Sequence, residues 1–208
     1  MMPNTLILSM EKLVSGKIII ITGYLASGKS TFARLLSKET NVPYLIKDTF
    51  KIALCENIPI TNREESSRFS AVTFNAMMYV TERLMETGSP IIIEGNFVPA
   101  GIKKTDEAGA IKALTGKYGF EPLTFKFSGD TQILHKRFIA REKTPERGQA
   151  NMMFAEIPYN DFDRYCHNLD GFDAGGKIIE ADTTDFNKVD FGSHIETARV
   201  FMNTEARR

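Results

Sequence analysis

Residues 17–31 read KIIIITGYLASGKST: an unbroken apolar run, then Gly23 and Gly28 with four residues between them, then Lys29 and Ser30. The apolar run has the length and β-branched content of a buried strand. Phe32, Leu35 and Leu36 follow at helical spacing and predict a helix opening near Lys29. A chain leaving a buried strand through glycines and entering a helix at once is confined to a tight loop. Glycine permits the required backbone turns, successive amides converge on one point, and the helix adds the positive end of its dipole. Such a loop holds an oxyanion, and phosphate above all.

The spacing is that of the P-loop, GxxxxGK[ST], in the strand and helix context it requires. It assigns Gly23, Ala26, Ser27, Gly28, Lys29, Ser30 and Thr31 to a nucleotide, with ATP and magnesium as the expected ligands. Lys29 neutralises the β- and γ-phosphates, and Ser30 offers its hydroxyl to the metal. Thr31 bonds either an α-phosphate oxygen or its own helix backbone.

Five apolar runs alternate with helix-like segments, which predicts an α/β fold with a parallel sheet covered on both faces. The runs are Lys17–Thr22, Pro43–Lys47, Pro90–Glu94, Pro122–Phe127 and Lys177–Ala181. Between the second and third, Phe69, Val72, Ala76, Met77, Val80 and Leu84 predict one buried face of a helix over 64–87, ended by Gly88. A second helix is expected over 130–141 with Asp130 as its N-cap. The segment EKTPERGQ, 142–149, reads as an exposed loop. At 208 residues the chain reads as a single domain, 1–208, with its core over about 17–200, a lid over about 130–150 and fraying after Met202.

Lys plus Arg and Asp plus Glu number 26 each, so no global positive field gathers nucleic acid or anionic lipid. Cys55 and Cys166 lack metal-ligand spacing and read as reduced thiols. The opening residues carry one short apolar patch, Leu6–Leu8, with no basic region before it, so neither export nor membrane insertion is expected and a cytoplasmic protein is.

A P-loop is shared by kinases, GTPases and mechanical ATPases. The guanine-reading pattern NKxD occurs at Asn187–Asp190 and DxxG at Asp106–Gly109 and Asp173–Gly176, but none follows a strand as a GTPase requires. Asp48 ends the second strand, at the sheet edge where ligands of open α/β folds gather, and suits a general base taking the proton of an attacking hydroxyl. Helix capping is its alternative role. Glu94 ends the third strand and is placed for a metal-bound water or a substrate hydroxyl, with a structural ion pair as the competing reading. Asn96 follows, and with Asp48, Lys51 and Glu94 completes the expected substrate contacts. Arg137 and Arg141 share a helix face, and with Arg147 predict a lid whose guanidinium groups stabilise the transferring phosphoryl. Arg137 is expected to touch the nucleotide as well.

With these residues assembled, GYLASGKST, IKDTFK with IIIEGNF, and LHKRFIARE resemble the zeta-toxin and polynucleotide-kinase branch of P-loop kinases. The resemblance implies a three-layer sandwich around a five-stranded parallel sheet in the order 2-3-1-4-5. It also implies Asp48 as base and Arg141 as a phosphate-contacting lid residue. Lys51 stands where the polynucleotide kinases carry an arginine that meets substrate. The expected function is ATP-dependent phosphorylation of a hydroxyl on a small molecule. A 5'-hydroxyl polynucleotide kinase using Phe97, Lys103 and Lys104, and a non-catalytic nucleotide-binding switch, are the alternatives.

Overall fold

The computed structural model describes residues 16–58, 60–102, 105–142, 144 and 156–203. Its elements run β1 (Lys17–Gly23), α1 (Lys29–Thr40), β2 (Tyr44–Ile46), α2 (Lys47–Cys55), α3 (Arg63–Glu86), β3 (Ile91–Glu94), α4 (Glu107–Tyr118), β4 (Glu121–Ser128), α5 (Thr131–Glu142), α6 (Tyr159–His167), β5 (Lys177–Asp182) and α7 (Phe191–Asn203). Every strand pair is parallel, and the sheet order is β2-β3-β1-β4-β5. The α/β class, the parallel sheet and the order 2-3-1-4-5 are those expected.

β1 lies at the centre and explains the three layers. Ile18, Ile19, Ile20 and Ile21 are fully buried, and because successive side chains of a strand point to opposite faces they divide between two cores. Ile19 and Ile21 pack with Phe32, Ala33 and Leu36 of α1 and with Ile195 and Ala198 of α7. Ile18 and Ile20 pack with Phe74, Met77 and Met85 of α3 and with Ala108 and Ile111 of α4. A third cluster joins Leu134 and Phe138 of α5, Phe162 and Cys166 of α6, and Tyr24 of the loop after β1.

Three local readings are corrected. The second strand ends at Ile46, and Lys47, expected to close it, opens α2 instead. Asp48 therefore lies inside the first turn of that helix, whose N-cap is Ile46. On α3 the buried face is Ser66, Thr73, Phe74, Met77, Thr81 and Met85, and Val72 is 55% exposed. Apolar periodicity misplaced the stripe because its hydroxyl residues hide their polarity: Thr73 and Thr81 donate to the carbonyls of Phe69 and Met77 one turn back. Asp130 caps α5 through the amides of Gln132 and Ile133, as expected. Helices α4, α6 and α7 had no assignment in the sequence. Leu6–Leu8, Lys103, Lys104, Pro145, Arg147, Gly148 and the chain after Asn203 lie outside the described residues.

One buried ion pair shapes the rim of the sheet. Lys47, 5% exposed, donates to Oε1 of Glu107, 2% exposed, while Oε2 of Glu107 accepts from the Val98 amide at 3.1 Å. The Lys47 ammonium also lies 5.4 Å from the centre of the Phe74 ring. The start of α2, the segment after β3 and the first turn of α4 are thus bound together. The position of Glu107 in that first turn is also favoured by the helix dipole.

Phe32, whose ring meets those of Phe125, Phe127 and Phe191 within 5.5 Å, tests the packing. Phe32→Ala is expected to cost about 3–5 kcal/mol in urea unfolding, whereas Val72→Thr changes stability by less than about 0.5 kcal/mol. Glu107→Ala takes a buried carboxylate from the Lys47 ammonium and the Val98 amide and is expected to cost about 3–5 kcal/mol; Lys47→Met with Glu107→Leu recovers most of that loss.

Candidate functional site

The chain leaves β1 at Gly23 and is fixed immediately, for the Tyr24 amide donates to the Phe127 carbonyl at 2.7 Å. Gly23 has φ 117°, and a Cβ there would lie 2.0 Å from that same carbonyl oxygen, so no other residue fits. Gly28 has φ 90° and closes against the ring of Phe186, 2.2 Å from where a Cβ would be. Ala26 also takes a left-handed conformation, φ 58°, which L side chains seldom adopt. The Tyr24 carbonyl accepts both from Ser27 Oγ at 2.7 Å and from Lys29 Nζ. Lys29 is 6% exposed. Burial pulls its pKa down to about 8, although the Glu94 and Asp48 carboxylates act in the opposite direction.

Ser30 Oγ donates to Glu94 Oε2 at 2.8 Å. Glu94 ends β3 in register with Ile21 of β1 and Ile46 of β2, and is 4% exposed. Among the described residues no group of three or more His, Cys, Asp or Glu is placed to hold a metal ion. One hydroxyl and one carboxylate nevertheless form the small protein share that magnesium accepts where phosphate oxygens and waters complete its octahedron. The Ser30 and Glu94 pair fits that ion.

Residues Leu25 to Thr31 line a small cleft of about 50 Å³ together with Asp48, Glu94, Asn96 and Arg141. A second cavity of about 390 Å³ adjoins it, walled by α2, α3, the segment after β3, α5 and the region around α6. Leu25, Asp48, Asn96 and Arg141 line both. The fold therefore brings Lys29, Ser30, Asp48, Glu94, Asn96 and Arg141 to one place, where the carboxyl ends of β1, β2 and β3 meet. The Asn96 Oδ1 is buried with no hydrogen-bond partner among the described residues.

Two expected site residues lie outside the small cleft. The Arg137 guanidinium donates to the carbonyls of Thr183, at 2.6 Å, and Thr184. It ties α5 to the segment after β5 and does not line the cleft. Lys51, 9% exposed, donates to Ser66 Oγ at 2.7 Å and lines the larger cavity alone. The guanine-reading candidates serve as turns: Asp106 caps α4 through Gly109 N at 2.8 Å, and Asn187 sits in a short 3-10 turn, Phe186–Lys188.

Sequence reasoning missed the Tyr24 carbonyl, the Lys47–Glu107 pair and the serines of α3. No residue pattern marks a carbonyl, and Glu107 lies 60 positions from its partner. Ser66, Ser67 and Ser70 carried a readable signal, since three hydroxyls on an otherwise amphipathic helix leave a polar stripe.

No family model and no curated protein matches the sequence. Solved structures do. A presumed kinase from Chloroflexus aurantiacus superposes with a TM-score of 0.78 at 21% identity, covering 93% of this chain and 100% of that one. The YorR protein of Bacillus subtilis, solved in complex with phosphorylated GDP, gives 0.57 at 18% identity over 91% and 100%. A shikimate kinase from Bacteroides thetaiotaomicron gives 0.56 at 15% over 90% and 99%. At these identities the likeness is one of fold, and the fold is that of the P-loop kinases.

Proposed function

We propose that this chain is an ATP-dependent phosphotransferase that moves the γ-phosphate to a hydroxyl of a small molecule, with Asp48 as general base. The observation that carries the reading is the meeting of two cavities at shared residues. A phosphate-sized cleft of about 50 Å³ opens onto a larger one of about 390 Å³ through Asp48, Asn96 and Arg141. A switch needs only the first. A volume of this size suits a small ligand, and the balanced charge of the chain gives no field for a polynucleotide.

In this reading the triphosphate lies in the loop 23–30, its oxygens facing the backbone amides and the Lys29 ammonium. Magnesium, when bound by Ser30 and Glu94, neutralises charge on the β- and γ-phosphates. Asp48 takes the proton of the acceptor hydroxyl as its oxygen bonds to the γ-phosphorus. The bond from that phosphorus to the β–γ bridging oxygen breaks, and ADP leaves with that oxygen. Arg141 faces the phosphoryl in transit, and Arg137 acts by holding α5 to the segment after β5. Asn96 orients the acceptor.

Asp48→Asn is expected to bind ATP as the native chain does and to transfer phosphate at least about a hundredfold more slowly. Lys29→Ala weakens ATP binding about 10- to 100-fold and abolishes transfer. Calorimetry of ATP binding and detection of phosphorylated product separate the two effects; native turnover in Asp48→Asn overturns the base assignment. The low pKa of Lys29 sets a pH dependence. Below about 8 the free chain already carries the ammonium, so this group adds no slope. Above about 8 binding must recruit a proton, and ATP affinity falls as pH rises. Lys29→Arg, charged throughout, is expected to show no such fall.

A further inference from the structure

Tyr24 lies at the root of the phosphate loop and lines neither cavity. It is 8% exposed, and it packs with Leu134 and Phe138 of α5 and with Phe162 and Cys166 of α6. The His167 ring stands 5.5 Å from its own, centre to centre. Its phenol donates to Oδ1 of Asp170 at 2.8 Å, across 146 residues. Burial and the bonded carboxylate both push the Tyr24 pKa up, so the hydroxyl keeps its proton and remains a donor at any working pH.

Both ends of that bond return to one strand. The Tyr24 amide donates to the carbonyl of Phe127 at 2.7 Å, and Lys126, the residue before it on β4, donates through Nζ to the carbonyl of Asp170 at 2.9 Å. These contacts form a closed circuit through β4, the phosphate loop and the turn after α6. An aromatic side chain held in a packed cluster cannot flex to absorb a displacement, so a constraint at one end of Tyr24 is felt at the other.

The two ends border different parts of the site. At one, the Tyr24 carbonyl accepts from Ser27 Oγ and from the Lys29 ammonium. At the other, Tyr165, Asn168 and Leu169, just before Asp170 in the chain, line the larger cavity and not the small cleft. Resting on the ATP-binding part of the proposed function, we infer that Tyr24 is a positioning residue: its bond to Asp170 ties the phosphate loop to the wall of the larger cavity, so that nucleotide in the loop also fixes the surface against which the acceptor lies. ATP steadies the loop through its amides and Lys29, the loop steadies Tyr24, and the phenol holds residues 165–170. An acceptor arriving afterwards meets a wall already ordered, and the cost of ordering it no longer falls on acceptor binding.

Hydrogen exchange of the segment 159–170, followed by mass spectrometry with and without a saturating non-hydrolysable ATP analogue, tests this. In the native chain the analogue is expected to slow exchange across 165–170 about fivefold, the scale of one hydrogen bond. Tyr24→Phe, which keeps the ring and removes only the donor, is expected to bind the analogue within about threefold of the native affinity by calorimetry and to lose that protection. Asp170→Ala is expected to do the same, and the two substitutions together to add nothing further. Asp170→Asn, which still offers Oδ1 to the phenol, is expected to retain the protection. A residue serving stability alone would change urea unfolding and leave the effect of the analogue on 165–170 as it is. Protection equal to the native in Tyr24→Phe and Asp170→Ala overturns the inference, as does a loss of analogue affinity in both variants, or the absence of protection in a native chain that binds the analogue. A native chain that binds no analogue overturns the ATP reading itself, and the inference with it.

Discussion

β1 is buried along all seven of its residues and paired on both edges, so the chain emerges from it only at Gly23, into a space already bounded by β3 and β4. The Phe127 carbonyl leaves no room for a side chain at Gly23 and takes the Tyr24 amide. The Tyr24 carbonyl in turn gathers Ser27 and Lys29. The loop is therefore shaped by the sheet before any ligand arrives. Preorganisation of this kind spares binding the cost of ordering the loop.

Charge follows from the same enclosure. Lys29 sits in a site dry enough to pull its pKa to about 8, with Glu94 and Asp48 near enough to oppose that shift. Lys47 and Glu107 show the contrasting arrangement, in which a buried cation is matched inside the protein and serves structure. Lys29 opens α1 and Lys47 opens α2, the helices after β1 and β2, between which β3 lies; the second lysine fixes the wall beside Asp48.

Helix α5 links the two halves of the site. Its Arg141 reaches both cavities while its Arg137 grips the carbonyls of Thr183 and Thr184. Phe138, between them in sequence, packs with Phe162 of α6 and also lines the larger cavity. A displacement of this helix would alter the small cleft, the larger cavity and the segment after β5 together.

The parallel sheet and the loop at Gly23 were legible in the sequence because both rest on local physics: an isoleucine run has few alternatives to a buried strand, and the glycine spacing dictates a loop within a few residues. Asp48, Glu94 and Arg141 were legible too, since each lies at or near the end of a recognisable element. The buried face of α3 was misread because Thr73 and Thr81 hide their hydroxyls against their own helix and Ser66 meets Lys51 of α2. Arg137 was expected at the nucleotide from its spacing to Arg141 and from the family resemblance, and neither tells a carbonyl of Thr183 from a phosphate. By itself, then, the sequence determined the strand, the loop and the identity of the charged groups, all set within a turn or two of chain. Only the tertiary structure decided which polar groups meet: Lys47 finds Glu107, Ser30 finds Glu94 and Lys51 finds Ser66 across 60, 64 and 15 residues, through contacts that strand order and helix packing create and that no local pattern encodes.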